Sequence, residues 1–313
     1  MKDTDDLITW LLTGDVSIQF QVHRDLLSTE RMDLQNRIAT EGWGRSYLSQ
    51  RHPEGYWGKR FYEPKWISSH YTLLDLKNLG LPQGNRQVRA SINRILQEER
   101  SDDGGIGPFG VKHKSDVCVN GMFLNYASYF GANAEALELI VDFLLNEYMP
   151  DGGFNCRSNR SAAIHSSLHS TISVLEGITE YQKSGFDYRN TELEQAKQTA
   201  IEFILQHKLF MSDKSGQIIH KEFLKFHYPC RWRYDILRAL DYFRYEAVPW
   251  DYRMQPAIDV LMKKRSKDGR WKVNAHYPGK VHFELEKAGK PSRWITLRAL
   301  RTIKKFKLEE YSV

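Results

Sequence analysis

Three cysteines in 313 residues, Cys118, Cys156 and Cys230, are too few and too unevenly placed for a disulfide framework. No apolar run approaches the roughly 20 residues that span a bilayer. The opening stretch MKDTDDLITWLL carries acidic groups where a secretory leader is basic. Alternating strand patterns are nearly absent. No phosphate-binding loop, dinucleotide fingerprint or serine nucleophile elbow occurs. Basic residues are scattered rather than blocked, and none of the common nucleic-acid motifs appears. These absences point to a cytoplasmic, helical protein with no integral membrane segment and no nucleic-acid partner. The oligomeric state is not legible in the chain.

What is present is ordinary globular composition, 41% hydrophobic and 27% charged, with a net charge of +6 and a sequence pI near 9.0. That balance fits a basic, soluble surface, or a preference for an anionic partner such as a phosphate ester. The informative feature is repetition. Asp151–Gly177 reads DGGFNCRSNRSAAIHSSLHSTISVLEG: a Gly-rich turn, a polar segment, then a helical run. The same order starts at Asp102 (DDGGIGPFG…), at Asp268 (DGRWKVNAHYPGK…) and at Glu54 (EGYWGKRFYEPKWISSHYTLLDL). After each turn come two helical segments, roughly 50 residues per unit. AEALELIVDFLLNEY places Leu137, Ile140, Val141, Leu144 and Leu145 on one stripe. Residues 1–42 read as N-terminal helices and 43–304 as the repeats, all in one domain spanning 1–313.

The turns DGGIG, DGGFN and DGRW, with the helix starts SSHYTLLDL, SLHSTISVL and RWITLRAL, resemble the terpenoid cyclase and protein prenyltransferase superfamily, squalene cyclases included. The resemblance runs from Trp43 onward. It implies an all-α fold, an (α/α)6 toroid of helical hairpins with inner helices around a central cavity. Aligned on a threonine near the start of each inner helix, the copies give Thr72, Met122, Thr171 and Thr296. In squalene cyclases a proton-donating Asp stands two residues before such a Thr. Here that place holds His70, Asn120, His169 and Trp294. An imidazolium is a far weaker acid than alkene protonation demands. Prenyltransferases hold zinc with Asp-x-Cys and a later His. Asp116, Cys118 and His169 offer those donors, but Asp116 lies six residues before Met122, two earlier than the family pattern. No cofactor is expected, with zinc or magnesium as the alternatives the donors leave open.

Two further stretches stand out. His227–Asp235 (HYPCRWRYD) opens an inner helix with Arg231, Trp232, Arg233, Tyr234 and Asp235, and a helix start with arginines nearby is a natural anion site. The arginines could instead pair with Asp235, Glu284 or Glu286. His165 and His169, four residues apart, could bind metal, line a polar cavity or be hydrogen-bonded structure. The leading expectation is an isoprenoid-processing enzyme, cyclase- or transferase-like. Its small-molecule substrate would be hydrophobic or anionic, possibly a diphosphate, held in the central cavity. His169, His70 and Asp235 would carry the chemistry. Trp66, Asn120, His165, Arg231, Trp232, Arg233, Tyr234, Arg293, Trp294 and Glu284 would bind substrate. A sugar- or glycan-active toroid and a non-catalytic ligand-binding toroid are the alternatives.

Overall fold

Each repeat turn is tied to the inner helix that follows it by one polar side chain. Ser69 Oγ accepts the Trp57 N–H at 3.0 Å. Asn120 Oδ1 accepts the Ile106 N–H at 2.7 Å, and its amide donates back to the Ile106 carbonyl at 3.1 Å. Thr171 Oγ1 accepts from Phe154 and Thr296 Oγ1 from Trp271, both at 3.0 Å. The repeated device satisfies a buried backbone group that the turn cannot pair by itself. It also corrects the register read from the sequence. Ser69 and Asn120, not Thr72 and Met122, are the counterparts of Thr171 and Thr296. Repeat loops of unequal length hid the offset.

The structure, a computed structural model, describes residues 2–108, 114–156 and 161–306, with side chains from residue 6 onward. Among them the chain is helical, with isolated bridges and no strand. In chain order the helices are α1 (Lys2–Leu12), α2 (Val16–Gln21, continued by a π-helical turn Val22–Leu26), α3 (Met32–Arg37), α4 (Gly42–Leu48), α5 (Ser69–Leu79), α6 (Arg86–Glu98), α7 (Val117–Tyr129), α8 (Ala134–Asn146), α9 (Leu168–Lys183), α10 (Asn190–Gln206), α11 (Ile236–Glu246), α12 (Gln255–Lys263) and α13 (Arg293–Lys305). The turn-then-helix pattern of the sequence predicts inner-helix starts near Ile67, Val119, Leu168, Arg233 and Trp294, and the observed starts fall within three residues of them. Gly80 ends α5 in the left-handed conformation (φ +86°), which costs glycine little.

Helices α2, α5, α7, α9, α11 and α13 form the inner ring, and α1, α3–α4, α6, α8, α10 and α12 pack outside it. Along the ring α5 meets α7, α7 meets α9, α9 meets α11, and α11 meets α13. The ring closes where Arg301 of α13 reaches Gln21 Oε1 (3.1 Å) and Asp25 (2.7 Å), and where Gln21 donates to the carbonyl of Asn78 on α5 at 2.9 Å. This is the (α/α)6 toroid. Helices α7 and α9 touch backbone to backbone. A Cβ on Gly177 would stand 2.4 Å from the Gly121 carbonyl oxygen, so only glycine fits. One continuous apolar core runs around the ring from Leu11 to Ile303.

Candidate functional site

The inner helices run parallel, so their C-terminal ends meet at one end of the ring, the base, and their N-terminal ends at the other, the mouth. Along the axis lies a cavity of about 180 Å³. Seven cationic side chains line it (Arg24, Lys77, Arg231, Arg238, Arg244, Arg298, Arg301) against three carboxylates (Glu176, Glu180, Asp241). At the base the charges are paired. Lys77 pairs with Glu180 at 2.9 Å. Asp241 accepts from Arg244 (2.9 Å), Arg298 (3.1 Å) and Arg301 (2.7 Å). Those cations hold the Asp241 carboxyl far below the usual range despite its burial. Arg301 and Arg24 likewise hold Asp25 at about 2, against the opposing pull of burial. Nearer the mouth, in the first turn of α11, Arg238 is paired too, holding Glu176 through two hydrogen bonds of 2.8 and 2.7 Å.

The roof of the cavity comes from the stretch HYPCRWRYD. Tyr228 stacks on Trp294 (4.6 Å between ring centres, 19° between planes), and Trp294 stacks in turn on Trp43 (6.0 Å). Arg231 sits in the left-handed region (φ +56°), which turns its buried side chain inward. Its guanidinium carbon lies 4.4 Å from the Trp66 ring. Among the described residues no carboxylate pairs with Arg231, and its Nε is buried without a hydrogen-bond partner. Asn125 Oδ1, on a residue lining the same cavity, is also unpartnered there. Close enough to feel the Arg231 charge is Asp75. Burial pushes its carboxyl up to about 6, offset in part by Arg231 and by the Tyr47 hydroxyl, which donates to Oδ2 at 3.1 Å.

At the mouth two more cations lie on aromatic faces. Arg233 is held between Trp232 (4.8 Å) and Tyr277 (4.2 Å). Lys65 Nζ lies 5.0 Å from the Trp66 ring and 5.2 Å from that of Trp232. Such stacking is favourable but leaves the N–H groups unspent. Aromatic faces, rather than carboxylates, thus hold Arg231, Arg233 and Lys65.

The carboxylates expected to pair with the arginines are committed elsewhere. Asp235 caps α11, accepting the Arg238 N–H at 2.8 Å. Glu286 caps α13 through the Arg293 N–H at 2.6 Å. Glu284 is exposed, 3.4 Å from His276. Arg293 turns away from the axis to the outer helix α1, donating to the Trp10 carbonyl at 3.1 Å and to Thr13 at 3.1 Å. His165 is exposed, 3.9 Å from Asp151. Asn120 is spent on the Ile106 turn, and the Tyr234 hydroxyl donates to the Leu209 carbonyl at 2.6 Å.

His70 is buried, with Nδ1 3.2 Å from the Tyr126 hydroxyl, and burial lowers it to about 3. His169 accepts the Tyr234 N–H at Nδ1 (2.8 Å). That fixes its neutral tautomer with the proton on Nε2, and burial with nearby arginines lowers it to about 4. Neutral imidazoles this weakly basic are poor proton acceptors at neutral pH.

His169 edges against Trp232 and Phe223 and lines a separate cleft with His207 and His220. Its committed Nδ1 and protonated Nε2 leave no lone pair for a metal. Cys118 lies instead beside Cys156. With Asn120 as reference, Asp116 stands four residues before it, which is the family spacing. Even so, no group of three His, Cys, Asp or Glu side chains among the described residues is placed to hold a metal ion. Nor is any described helix long and apolar enough to cross a membrane. Sequence reasoning did not single out Lys65, Asp75 or Tyr277; Lys65 and Tyr277 stand next to aromatic-rich loop segments, and no motif marks Asp75 within α5.

No protein-family model and no curated protein matches the sequence. Solved structures resemble the fold. A polysaccharide lyase aligns over 94% of this chain and 89% of its own at 13% identity, with a TM-score of 0.49. The type II terpene cyclase MstE from Scytonema aligns over 90% and 99% at 13% identity, with a TM-score of 0.36. A complex of that cyclase with geranylgeranyl dihydroxybenzoate aligns over 88% and 97% at 14% identity, also at 0.36.

Proposed function

We propose that the axial cavity binds the head group of a small anionic substrate, of the kind a phosphate ester or diphosphate presents, with Arg231 as its principal ligand. The observation that carries this reading is the buried, unpaired Arg231 guanidinium lining a cavity with more cations than carboxylates. An uncompensated buried charge is costly, and an incoming anion would remove the cost. The cavity, about 180 Å³, lies below the roughly 300 Å³ at which drug-sized pockets begin, so it suits a head group rather than a whole isoprenoid. The rings of Tyr129, Tyr242 and Tyr245 in the same lining are the feature that favours the isoprenoid-processing reading. A carboxylated or sulfated sugar is the second reading, favoured by the Arg233 and Lys65 cations stacked on Trp232 at the mouth.

Calorimetry with inorganic diphosphate, geranyl diphosphate and an acidic disaccharide tests the proposal. Binding of diphosphate is expected to weaken about tenfold or more in Arg231→Met, since a charge-assisted hydrogen bond contributes about 1.5–3 kcal/mol. Equal binding by wild type and variant would sink the anion-site role. Tighter binding of the geranyl ester supports the isoprenoid reading, and binding of the acidic sugar alone supports the second.

A further inference from the structure

Cys118 opens helix α7 and Cys156 follows the next repeat turn, 38 residues on, yet the fold sets them together at the mouth. Cys118 is the second residue of α7. Its backbone N–H, one of the unpaired donors of a helix start, points at Cys156 Sγ from 2.9 Å. The Cys156 N–H is in turn fixed on Ser170 Oγ at 3.0 Å. The two thiols lie within hydrogen-bond reach of each other, and both residues are half-buried rather than sealed in the core. Hydrogen bonds from the Cys118 thiol and backbone N–H favour the thiolate at Cys156, while the same contact and burial push the Cys118 thiol up. Cys230 stands apart from the pair. Its thiol donates to the His227 carbonyl at 3.1 Å, and burial pushes it up to about 12.

We infer that Cys118 and Cys156 form a redox-modification site, an adjacent thiol pair that closes to a disulfide by exchange with a small disulfide such as oxidised glutathione. The Cys156 thiolate attacks one glutathione sulfur, breaks that S–S bond and expels one glutathione thiolate, which takes up a proton. Cys118 then loses its proton and attacks the Cys156 sulfur of the mixed disulfide. The second glutathione leaves as thiolate, and the Cys118–Cys156 bond remains. Two protein thiols are oxidised and one glutathione disulfide is reduced to two thiols. The new bond would tie the start of α7 to the following repeat turn, beside Lys65 and the aromatic mouth.

The test uses the full chain, titrated with oxidised against reduced glutathione and read by intact mass and by peptide mapping of the alkylated wild type. The expected result is loss of two hydrogens per chain, one remaining alkylatable thiol at Cys230, and a linked pair of peptides containing Cys118 and Cys156. The oxidised chain should unfold at a higher temperature than the reduced one. In Cys118→Ser the reaction should stop at a glutathione adduct on Cys156, whereas Cys230→Ser should behave as wild type. Three thiols that persist under excess oxidised glutathione would overturn the inference. So would a linkage through Cys230, or a metal adduct in native mass spectra that protects the pair. Because wild-type mapping needs no variant, a misfolded substitution would leave the inference testable.

Discussion

The two ends of the ring handle positive charge in opposite ways. Toward the base, Arg244, Arg298, Arg301 and Lys77 meet Glu180, Asp241 and Asp25 in close ion pairs, and Arg238, in the first turn of α11, pairs with Glu176. At the roof and mouth, Arg231, Arg233 and Lys65 meet Trp66, Trp232 and Tyr277 instead. The first arrangement is complete within the protein and fixes where the helix ends sit. The second leaves hydrogen-bonding capacity unspent, and it is there that the proposed anion would bind. Fewer arginines stand unpaired at the roof and mouth than stand paired elsewhere in the ring, so crowding of cations does not set the difference. Which groups face them is what separates a structural network from a binding one.

That contrast can be broken most sharply at Asp241. Asp241→Ala leaves Arg244, Arg298 and Arg301 short of their shared partner and should cost about 3–5 kcal/mol of stability, read by denaturant unfolding. The next effect is a pH dependence whose sign differs between the ends. The Asp75 carboxyl is raised to about 6 in the folded chain, so the folded state holds its proton longer than the unfolded state. Stability should therefore fall as pH rises from about 4 to 6, by at most about 3 kcal/mol, and Asp75→Asn should abolish that fall. At the base the folded Asp25 carboxyl is lowered to about 2, so its contribution is present above about pH 4 and lost as pH drops toward 2. Arg231→Met should change stability by less than about 1 kcal/mol, or raise it, because the guanidinium it removes has no carboxylate to strand. A loss comparable to that of Asp241→Ala would show Arg231 to be structural and erase the distinction. The smallest effect belongs to Glu284→Gln, an exposed change at the rim that should leave the unfolding midpoint unmoved within error.

Much of the fold was legible before any coordinates. Gly-rich turns and apolar stripes of period 3.6 define helical hairpins, because those local patterns have few other ways to bury their faces. The start of α9 was read to the residue. The register across copies was not: a threonine at Thr72 looks like its counterparts, and only the hydrogen bond from the Trp57 turn shows that Ser69 takes that place. The stretch around Arg231 was singled out for its composition, but Arg293, which looked equivalent, faces the outer helix α1.

The sequence by itself determined that this is an all-helical chain of repeated hairpins rich in arginine and aromatic residues, since helix periodicity and turn chemistry are local properties; the ring was what its resemblance implied. Only the tertiary structure decided which arginine remains unpaired. The capping of α11 and α13 takes Asp235 and Glu286 away from the cations they might have neutralised. The left-handed backbone at Arg231 turns its side chain into the cavity. Pairing of charges depends on distances across the ring between residues far apart in the chain, and no local pattern encodes those distances.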